Sequence, residues 1–322
     1  MIEQETLFIL GAGASVPYKY PTGKGLRIFI CHELLKQYQN IINVPSGHLK
    51  KSEAFVAMEQ FIDKFEKSSI PSIDQYLACN PTLINIGKKA IVLSILIHEK
   101  RSRLRERIED PMQDWYSLLY GKMIEGFSSP DSFKQFKGNK VSFITFNYDR
   151  SLEHFIYESF INSFSENKDI QLFISSSVNP EDNLIPFPFI HVYGQVEDIE
   201  FKGGHSYGLA PDLDRVNRLR KNIRVIGERT EGQERQITEL FNKAEKIFFL
   251  GFGYAYENLG VLKIPKFKSS EKEIYGTAKD YTKKEIYSVE KKLKKHITAI
   301  HTAPDNPIIQ DMDCYQLLRE YL

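Results

Sequence analysis

The sequence predicts an α/β fold: a Rossmann-like parallel sheet with helices on both faces and an inserted helical module. Three observations support this prediction. The apolar strand TLFIL at 6–10 runs directly into the glycine turn GAGAS at 11–15. A later unit, IFFLGFG at 247–253, repeats this order of strand and glycine turn. From about Lys51 to Phe136 the apolar residues recur at helical spacing, and no alternating strand pattern interrupts them.

The composition is that of a soluble globular protein. The chain has 322 residues, of which 42% are hydrophobic and 26% charged. A net charge of +1 argues against a surface built for nucleic acid, although it leaves room for a local basic patch. The cysteines Cys31, Cys79 and Cys314 are far apart, so neither a disulfide framework nor a cysteine zinc site is expected. Such cysteine usage makes the reducing cytoplasm the expected compartment. Without a basic leader or an apolar run near ~20 residues, the chain is expected to be soluble and without membrane contact.

The first glycine turn has the pattern of a dinucleotide site. Gly11 would permit the tight turn, and Gly13, which lacks a Cβ, would let the main chain approach a pyrophosphate. A complete motif needs a third glycine where Val16 stands, so an ordinary strand-to-loop turn remains an alternative. A P-loop is excluded because Gly23-Lys24 is followed by glycine rather than Ser or Thr.

The chain is predicted to form two parts. Residues 1–40 and 137–322 would build the Rossmann-like domain, with a helix at 26–38 behind the glycine turn, and residues 41–136 would form the inserted helical module. A basic cluster in the module is interpreted as a solvated helix face, because neighbouring acids dilute it, with nucleic-acid binding as the lesser alternative. Its members are Lys100, Arg101, Arg103, Arg105 and Arg107.

The second half alternates predicted strands and helices. The strand VSFIT at 141–145 leads into FNYD, and the carboxyl end of a buried parallel strand faces the crevice where such sheets bind ligands. A helix at 151–164 should follow. The strand FIHVY at 189–193 would place His191 and Tyr193 on one face. The later predicted elements are a strand at 246–250, a strand at 274–278, a helix at about 282–295 and a last strand at 297–300.

Four motifs occur in order along the chain: GAGAS (11–15), TFNYD (145–149), HVYG (191–194) and LGFG (250–253). In order and approximate spacing they resemble the sirtuin superfamily, and more particularly the bacterial sirtuin-like NADases of antiphage defence. The resemblance implies a Rossmann-like NAD-binding domain with NAD as the substrate. Sirtuin deacylases usually carry a four-cysteine zinc ribbon, which this chain lacks. Hydrolysis is therefore favoured over deacylation, and no metal is expected.

The resemblance also implies roles for individual residues. Asn147 would orient the nicotinamide ribose and the attacking water, Asp149 would support the nicotinamide side, and His191 would be the general base. The family's histidine directly precedes the glycine, whereas here Tyr193 does, so both His191 and Tyr193 are candidates for the base position. The residues expected to contact NAD are Gly11, Ala12, Gly13, Ser15, Thr22, Tyr193, Gly251 and Gly253.

Each catalytic candidate has a structural alternative. Asn147 suits a turn at a strand end, Asp149 suits the N-terminus of the next helix, and His191 suits packing alone. A histidine pKa of about 6.5 is better matched to a base at neutral pH than a tyrosine pKa of about 10.

The implied function is that of an NAD+ glycohydrolase, which releases nicotinamide and ADP-ribose, acting as an abortive-infection effector of antiphage defence. Because a free NADase would poison its own cell, its activity is expected to be controlled by homo-oligomerisation or by a partner such as a HerA-type ATPase. The alternative is a non-catalytic sensor subunit of a defence complex that binds NAD or ADP-ribose without turnover.

Overall fold

A computed structural model describes residues 1–41, 52–101, 104, 111–175, 186–228, 232–268, 272–298 and 307–322. Its strands are β1 (Thr6–Leu10), β2 (Val141–Thr145), β3 (Phe189–His191), β4 (Lys246–Leu250), β5 (Phe267–Lys268), β6 (Glu273–Thr277), β7 (Ile297–Thr298) and β8 (Ile308–Gln310). Six of them form an all-parallel sheet in the order β3-β2-β1-β4-β6-β8. Counted within this sheet, that is the 3-2-1-4-5-6 order of Rossmann folds. The predicted fold class is confirmed.

The sheet core is a row of aromatic rings on paired strands. Phe8 of β1 stacks on Phe143 of β2 and Phe248 of β4, with ring centroids 5.3 and 5.5 Å apart. The row continues outward, because Phe143 stacks on Phe189 at 4.3 Å and Phe248 stacks on Tyr275 at 5.3 Å. These rings occupy matched register positions on five strands. Each aromatic contact stabilises the fold by about 0.5–1.5 kcal/mol beyond the burial of its area.

Helices flank the sheet on both faces. The predicted helix at 26–38 is in fact two helices, because the chain turns at Glu33. The first begins after Thr22, whose Oγ1 accepts a hydrogen bond from the Gly25 N–H at 3.1 Å. The helices before β2 are α1 (Gly23–His32), α2 (Leu34–Ile41), α3 (Glu53–Ser68), α4 (Ile73–Cys79), α5 (Ile84–His98) and α6 (Trp115–Met123).

The described residues of the predicted module, 41, 52–101, 104 and 111–136, contain helices and turns but no strand, as the helical periodicity predicted. Helix α3 packs on α1, α2 and α5, so the module shares a core with the N-terminal helices. Among the described helices, the stretch Pro81–His98 is long and apolar enough to cross a membrane. Its residues 90–96 are buried in this core, as those of a core helix are.

The basic cluster of the module is described only in part, and the predicted strand at 297–300 lies outside the large sheet. Arg103, Arg105 and Arg107 of the basic cluster lie outside the described residues, and Arg101 pairs with Glu200 at 2.8 Å. The predicted strand at 297–300 does not join the large sheet: its described residues, Ile297–Thr298, pair with β5, and 299–300 lie outside the described residues.

The sixth strand of the large sheet is β8, which pairs with β6 and which the sequence analysis missed. Its three residues are too few to show a periodicity. The helices after β2 are α7 (Ser151–Ser163), α8 (Lys168–Ser175), α9 (Leu213–Leu219), α10 (Gln233–Lys243), α11 (Tyr256–Leu262), α12 (Lys283–Lys294) and α13 (Cys314–Tyr321).

Candidate functional site

A cavity of about 740 Å³ opens at the carboxyl ends of the central strands. Its walls include the turn after β1, the TFNYD loop after β2, the turn after β4 and the loop after β6. The strand order reverses between β1 and β4, and Rossmann sheets bind their ligands at this switch point. The module supplies another wall through Pro71, Ser72, Asp74 and Gln75.

The two glycine turns contact each other directly. Gly11 and Gly13 donate their N–H groups to the carbonyl oxygens of Leu250 and Gly251, both at 3.0 Å. A Cβ on Gly13 would lie 2.8 Å from the Gly251 oxygen, and a Cβ on Gly251 would lie 1.9 Å from the Ala14 nitrogen. The missing Cβ atoms therefore permit contact between the turns. The predicted approach of a pyrophosphate to Gly13 is an additional role that remains a prediction.

Asn147 lines the cavity and is only 8% exposed. Its Nδ2 donates to the Gly11 carbonyl oxygen and to Ser15 Oγ, both at 3.1 Å. A carbonyl oxygen only accepts hydrogen bonds, so the contact with Gly11 fixes the orientation of the amide. Asn147 Oδ1 is then buried without a hydrogen-bond partner among the described residues. A buried polar atom without a partner requires an explanation, and in a residue that lines the cavity this oxygen is a candidate acceptor for a ligand.

Asp149 also lines the cavity, but the protein itself supplies its hydrogen-bond donors. Ser15 Oγ donates to Oδ2 at 3.1 Å, and the N–H of Ser151 donates to Oδ1 at 3.0 Å. The Ser151 hydroxyl donates to Oδ1 as well. Burial raises the pKa of Asp149, although these hydrogen bonds oppose the shift. Since Ser151 begins α7, the alternative role of Asp149 as a helix N-terminal acid describes part of what it does.

His191 does not line the cavity. Its Nδ1 lies 3.1 Å from the Asn147 carbonyl oxygen, and its Nε2 lies 3.0 Å from Glu153 Oε2. Burial lowers the pKa of His191, but the hydrogen bond and charge of Glu153 outweigh it, so the net pKa is raised. Both ring nitrogens face oxygens that accept hydrogen bonds, so neither offers a free lone pair to a substrate. This geometry does not support the predicted general base.

The predicted strand face shared by His191 and Tyr193 is wrong. Strand β3 ends at His191, and the chain turns back so that the Gly194 N–H donates to the His191 carbonyl oxygen at 3.1 Å. Gly194 has a φ of 76°, and a Cβ there would lie 1.9 Å from the Asn222 carbonyl oxygen. Because of this turn, Tyr193 lines the cavity while His191 does not. The Tyr193 hydroxyl donates to Asn258 Oδ1 at 3.0 Å.

The remaining residues predicted to contact NAD form two groups: most line the cavity, and one positions the side chains that do. Ala12, Thr22 and Gly253 line the cavity, together with the glycines of both turns. Ser15 does not line it and is 2% exposed. Its hydroxyl accepts from Asn147 and donates to Asp149, so Ser15 positions the two cavity residues instead.

The module contributes residues to the site that the sequence analysis missed. Trp115 is buried and donates from Nε1 to the Ala14 carbonyl oxygen at 2.8 Å. Asp74 lines the cavity and accepts a hydrogen bond from the Tyr148 hydroxyl. The two residues of the Trp115 contact are 101 positions apart in the sequence, and those of the Asp74 contact are 74 positions apart. No local motif therefore signals either contact.

A buried ion pair ties the TFNYD loop to the module. Arg150, directly after Asp149, donates from Nε and Nη2 to the two carboxylate oxygens of Glu99 at 3.0 and 2.7 Å. Both side chains are fully buried. The remaining nitrogen, Nη1, donates to the carbonyl oxygens of Asp198 and His205. A bidentate pair fixes both distance and orientation, so the end of α5 holds the loop in place.

Within the described residues, no group of three or more His, Cys, Asp or Glu side chains could hold a metal ion. The expectation of a metal-free reaction remains a prediction. No protein-family model and no curated protein matches the chain. The four ordered motifs and the geometry of this cavity are therefore the basis for a functional proposal.

Proposed function

We propose that the protein is an NAD+ glycohydrolase that binds NAD in this cavity and acts as an abortive-infection effector of antiphage defence. Asn147 Oδ1 is the observation that carries the proposal: it is a buried acceptor without a partner among the described residues, in a side chain that lines the cavity. The resemblance of the ordered motifs supplies the identity of the substrate. The volume of about 740 Å³ is within the range of roughly 300–1,000 Å³ that is common for small-ligand sites.

Asn147 is held ready for a ligand before the ligand binds. Gly11 and Ser15 accept the hydrogen bonds of its Nδ2, which leaves Oδ1 as the group that would accept a hydrogen bond from a ribose hydroxyl. An unpaired buried acceptor costs about 1–3 kcal/mol, and a ligand hydroxyl would recover that free energy.

The reaction breaks the bond between ribose C1′ and the nicotinamide nitrogen, and the bonding electron pair leaves with nicotinamide. The ribose develops oxocarbenium character, which oriented oxygen dipoles stabilise. Water adds to C1′ and loses one proton, which gives ADP-ribose. In this scheme Ser15 positions Asn147, and His191 is a positioning residue because it holds the Asn147 carbonyl oxygen through Nδ1.

A second candidate function is a non-catalytic sensor that binds NAD or ADP-ribose. The position of His191 favours it, because both ring nitrogens are engaged and the side chain does not line the cavity. The contact with Asn147 Oδ1 would serve binding alone. Turnover separates the two candidates.

Control of the activity belongs to the same proposal. By resemblance, activation would come from homo-oligomerisation or from a partner such as a HerA-type ATPase in the cytoplasm. Light scattering on the purified protein with and without NAD would reveal self-assembly. Specific activity that does not change with protein concentration would argue against control by self-assembly.

The test of the proposed function is nicotinamide release from NAD by wild type, Asn147→Ala and the control Asn162→Ala, which removes an exposed asparagine of α7. Wild type and the control should release nicotinamide, and Asn147→Ala should be slower by roughly 100-fold or more. ADP-ribose binding without nicotinamide release would favour the sensor. Neither binding nor release by wild type would refute both candidates.

A further inference from the structure

We propose that Asp74 of the inserted module is the general base of this reaction and takes the proton from the water that attacks the ribose. The inference rests on the proposed NAD hydrolysis and deepens it. It assigns the catalytic base to a helix outside the four motifs.

The position of Asp74 is the first argument. Asp74 is the second residue of α4 and lines the cavity. The Tyr148 hydroxyl donates to Asp74 Oδ1 and lies 3.2 Å from the carbonyl oxygen of Arg224. Tyr148 directly follows Asn147 in the chain. The hydrogen bond therefore fixes Asp74 against the loop that carries the proposed ligand contact.

The other carboxyl groups of the cavity fit the role less well. Asp149 already accepts three hydrogen bonds from serine groups. Glu257 and Asp280 also line the cavity, but both are exposed to solvent. Asp313 lines it too, but it caps α13 by accepting a hydrogen bond from the Gln316 N–H at 2.9 Å. Asp74 is the cavity carboxyl that is hydrogen-bonded to the TFNYD loop while accepting a single side-chain donor from it.

The acidity of Asp74 also suits a base. Burial raises the pKa of Asp74 to about 6, and the hydrogen bonds from Tyr148 and the backbone partly offset this shift. A carboxylate with that pKa is ionised at neutral pH and yet basic enough to accept a proton. Burial raises the pKa of Tyr148 well above its usual value, so Tyr148 keeps its proton and stays a donor.

Charged and titratable groups approach the hydrogen-bonded Asp74 and Tyr148 from two sides. On the side of the loop, Tyr193 and Glu228 act electrostatically on Tyr148, and Glu228 pairs with Lys88 of α5 at 2.7 Å. This pairing offsets the charge of Glu228. Tyr148 is therefore the neighbour whose removal would change the pKa of Asp74 most directly.

On the side of the module, Arg27 of α1 and the Asp63–Lys67 pair of α3 are engaged in contacts of their own. Arg27 of α1 donates to main-chain carbonyl oxygens at the end of α3. Asp63 and Lys67 of α3 form an ion pair at 2.8 Å in which both side chains are more than half exposed. Asp63 is thus a carboxyl of the same module that solvent reaches, and it provides a control.

In the proposed step the water oxygen bonds to C1′ and one water O–H bond breaks. Asp74 accepts that proton and later returns it to solvent. Nicotinamide leaves with the electron pair of the broken C1′–nitrogen bond. Atoms, protons and electrons balance, and no further reactant is needed.

The first test compares Asp74→Asn, which keeps the side-chain volume, with Asp63→Asn. We expect kcat for nicotinamide release to fall roughly 100-fold or more in Asp74→Asn, with calorimetric ADP-ribose binding close to wild type. Asp63→Asn should match wild type in both measurements. An unchanged kcat in Asp74→Asn would overturn the assignment while leaving NAD hydrolysis intact. Absence of nicotinamide release from wild type would instead overturn the proposed function, and this inference with it.

The second test uses Tyr148→Phe and does not depend on Asp74→Asn folding. Loss of the hydroxyl removes a hydrogen bond to the ionised carboxylate, so the pKa of Asp74 should rise. The acid limb of kcat against pH should then move to higher pH. A merely structural contact would lower kcat at every pH without moving that limb, and this result would contradict the assignment.

Discussion

Replacing Gly251 with alanine tests the contact between the two glycine turns. Gly251 has a φ of 56°, and a Cβ there would lie 1.9 Å from the Ala14 nitrogen and 2.3 Å from the Gly13 carbonyl carbon. Both neighbours are main-chain atoms, so no side-chain rotation relieves the overlap. The turns must separate. That separation would weaken the hydrogen bonds from the Gly13 N–H to the Gly251 oxygen and from the Gly251 N–H to Thr277 Oγ1.

The expected loss in the free energy of unfolding follows from the backbone conformation of Gly251 and from these hydrogen bonds. The left-handed conformation costs alanine about 1–2 kcal/mol, and each lost hydrogen bond costs about 1 kcal/mol. The free energy of unfolding should therefore fall by about 3–4 kcal/mol. With an unfolding entropy of about 2.1 cal/mol/K per residue over 322 residues, Tm should drop by about 5 °C.

The assay is scanning calorimetry of Gly251→Ala against Gly253→Ala in the same turn. A Cβ on Gly253 has no atom within 4 Å to meet, so its Tm should stay close to wild type. If Gly251→Ala had the same Tm as Gly253→Ala and wild type, the close contact between the two turns would be wrong.

Three further predictions concern the supports of the site. Glu99→Ala leaves the buried guanidinium of Arg150 with Glu197, 3.7 Å away, as its remaining carboxylate, and should lower the free energy of unfolding by about 3 kcal/mol in urea titrations; a loss below about 1 kcal/mol would contradict the buried pair. Burial lowers the pKa of His154 to about 4, so the unfolded chain, with a pKa of about 6.5, binds a proton that the folded protein resists. Stability should fall by about 3 kcal/mol as the pH drops from 6.5 to 4. His154→Phe should preserve the stack on Tyr207 and lose less stability over that range in thermal melts; an equal loss would refute the role of His154. Phe8→Ala removes the central ring of the aromatic row and should cost about 3–5 kcal/mol in urea titrations, whereas a cost near zero would show that the row does not stabilise the sheet.

The sheet was predictable because its main strands are short apolar runs that end in glycine or polar residues. The strands at 6–10, 141–145 and 246–250 have the predicted bounds, and they place the turn, the TFNYD loop and Gly251 around one cavity. Local sequence determines such elements, and parallel strands bring their carboxyl ends together.

The position of the proposed base was not predictable, because it depends on contacts between distant segments. Alternation along an extended strand linked His191 with Tyr193, but the turn at Gly194 separates them. The partner of His191 is Glu153, which is 38 positions away and carries no motif. Asp74 likewise meets Tyr148 only through the tertiary packing of the module. Apolar periodicity predicts that the module is helical, but it does not predict that the module packs beside the sheet.

The most direct measurement of the central claim is a crystal structure of the protein with ADP-ribose, the proposed product. We expect the ligand in the cavity between the two glycine turns, with a ribose hydroxyl donating to Asn147 Oδ1 and with Asp74 facing C1′ of that ribose. ADP-ribose bound away from this cavity, or bound there with Asn147 Oδ1 still unpaired, would contradict the account.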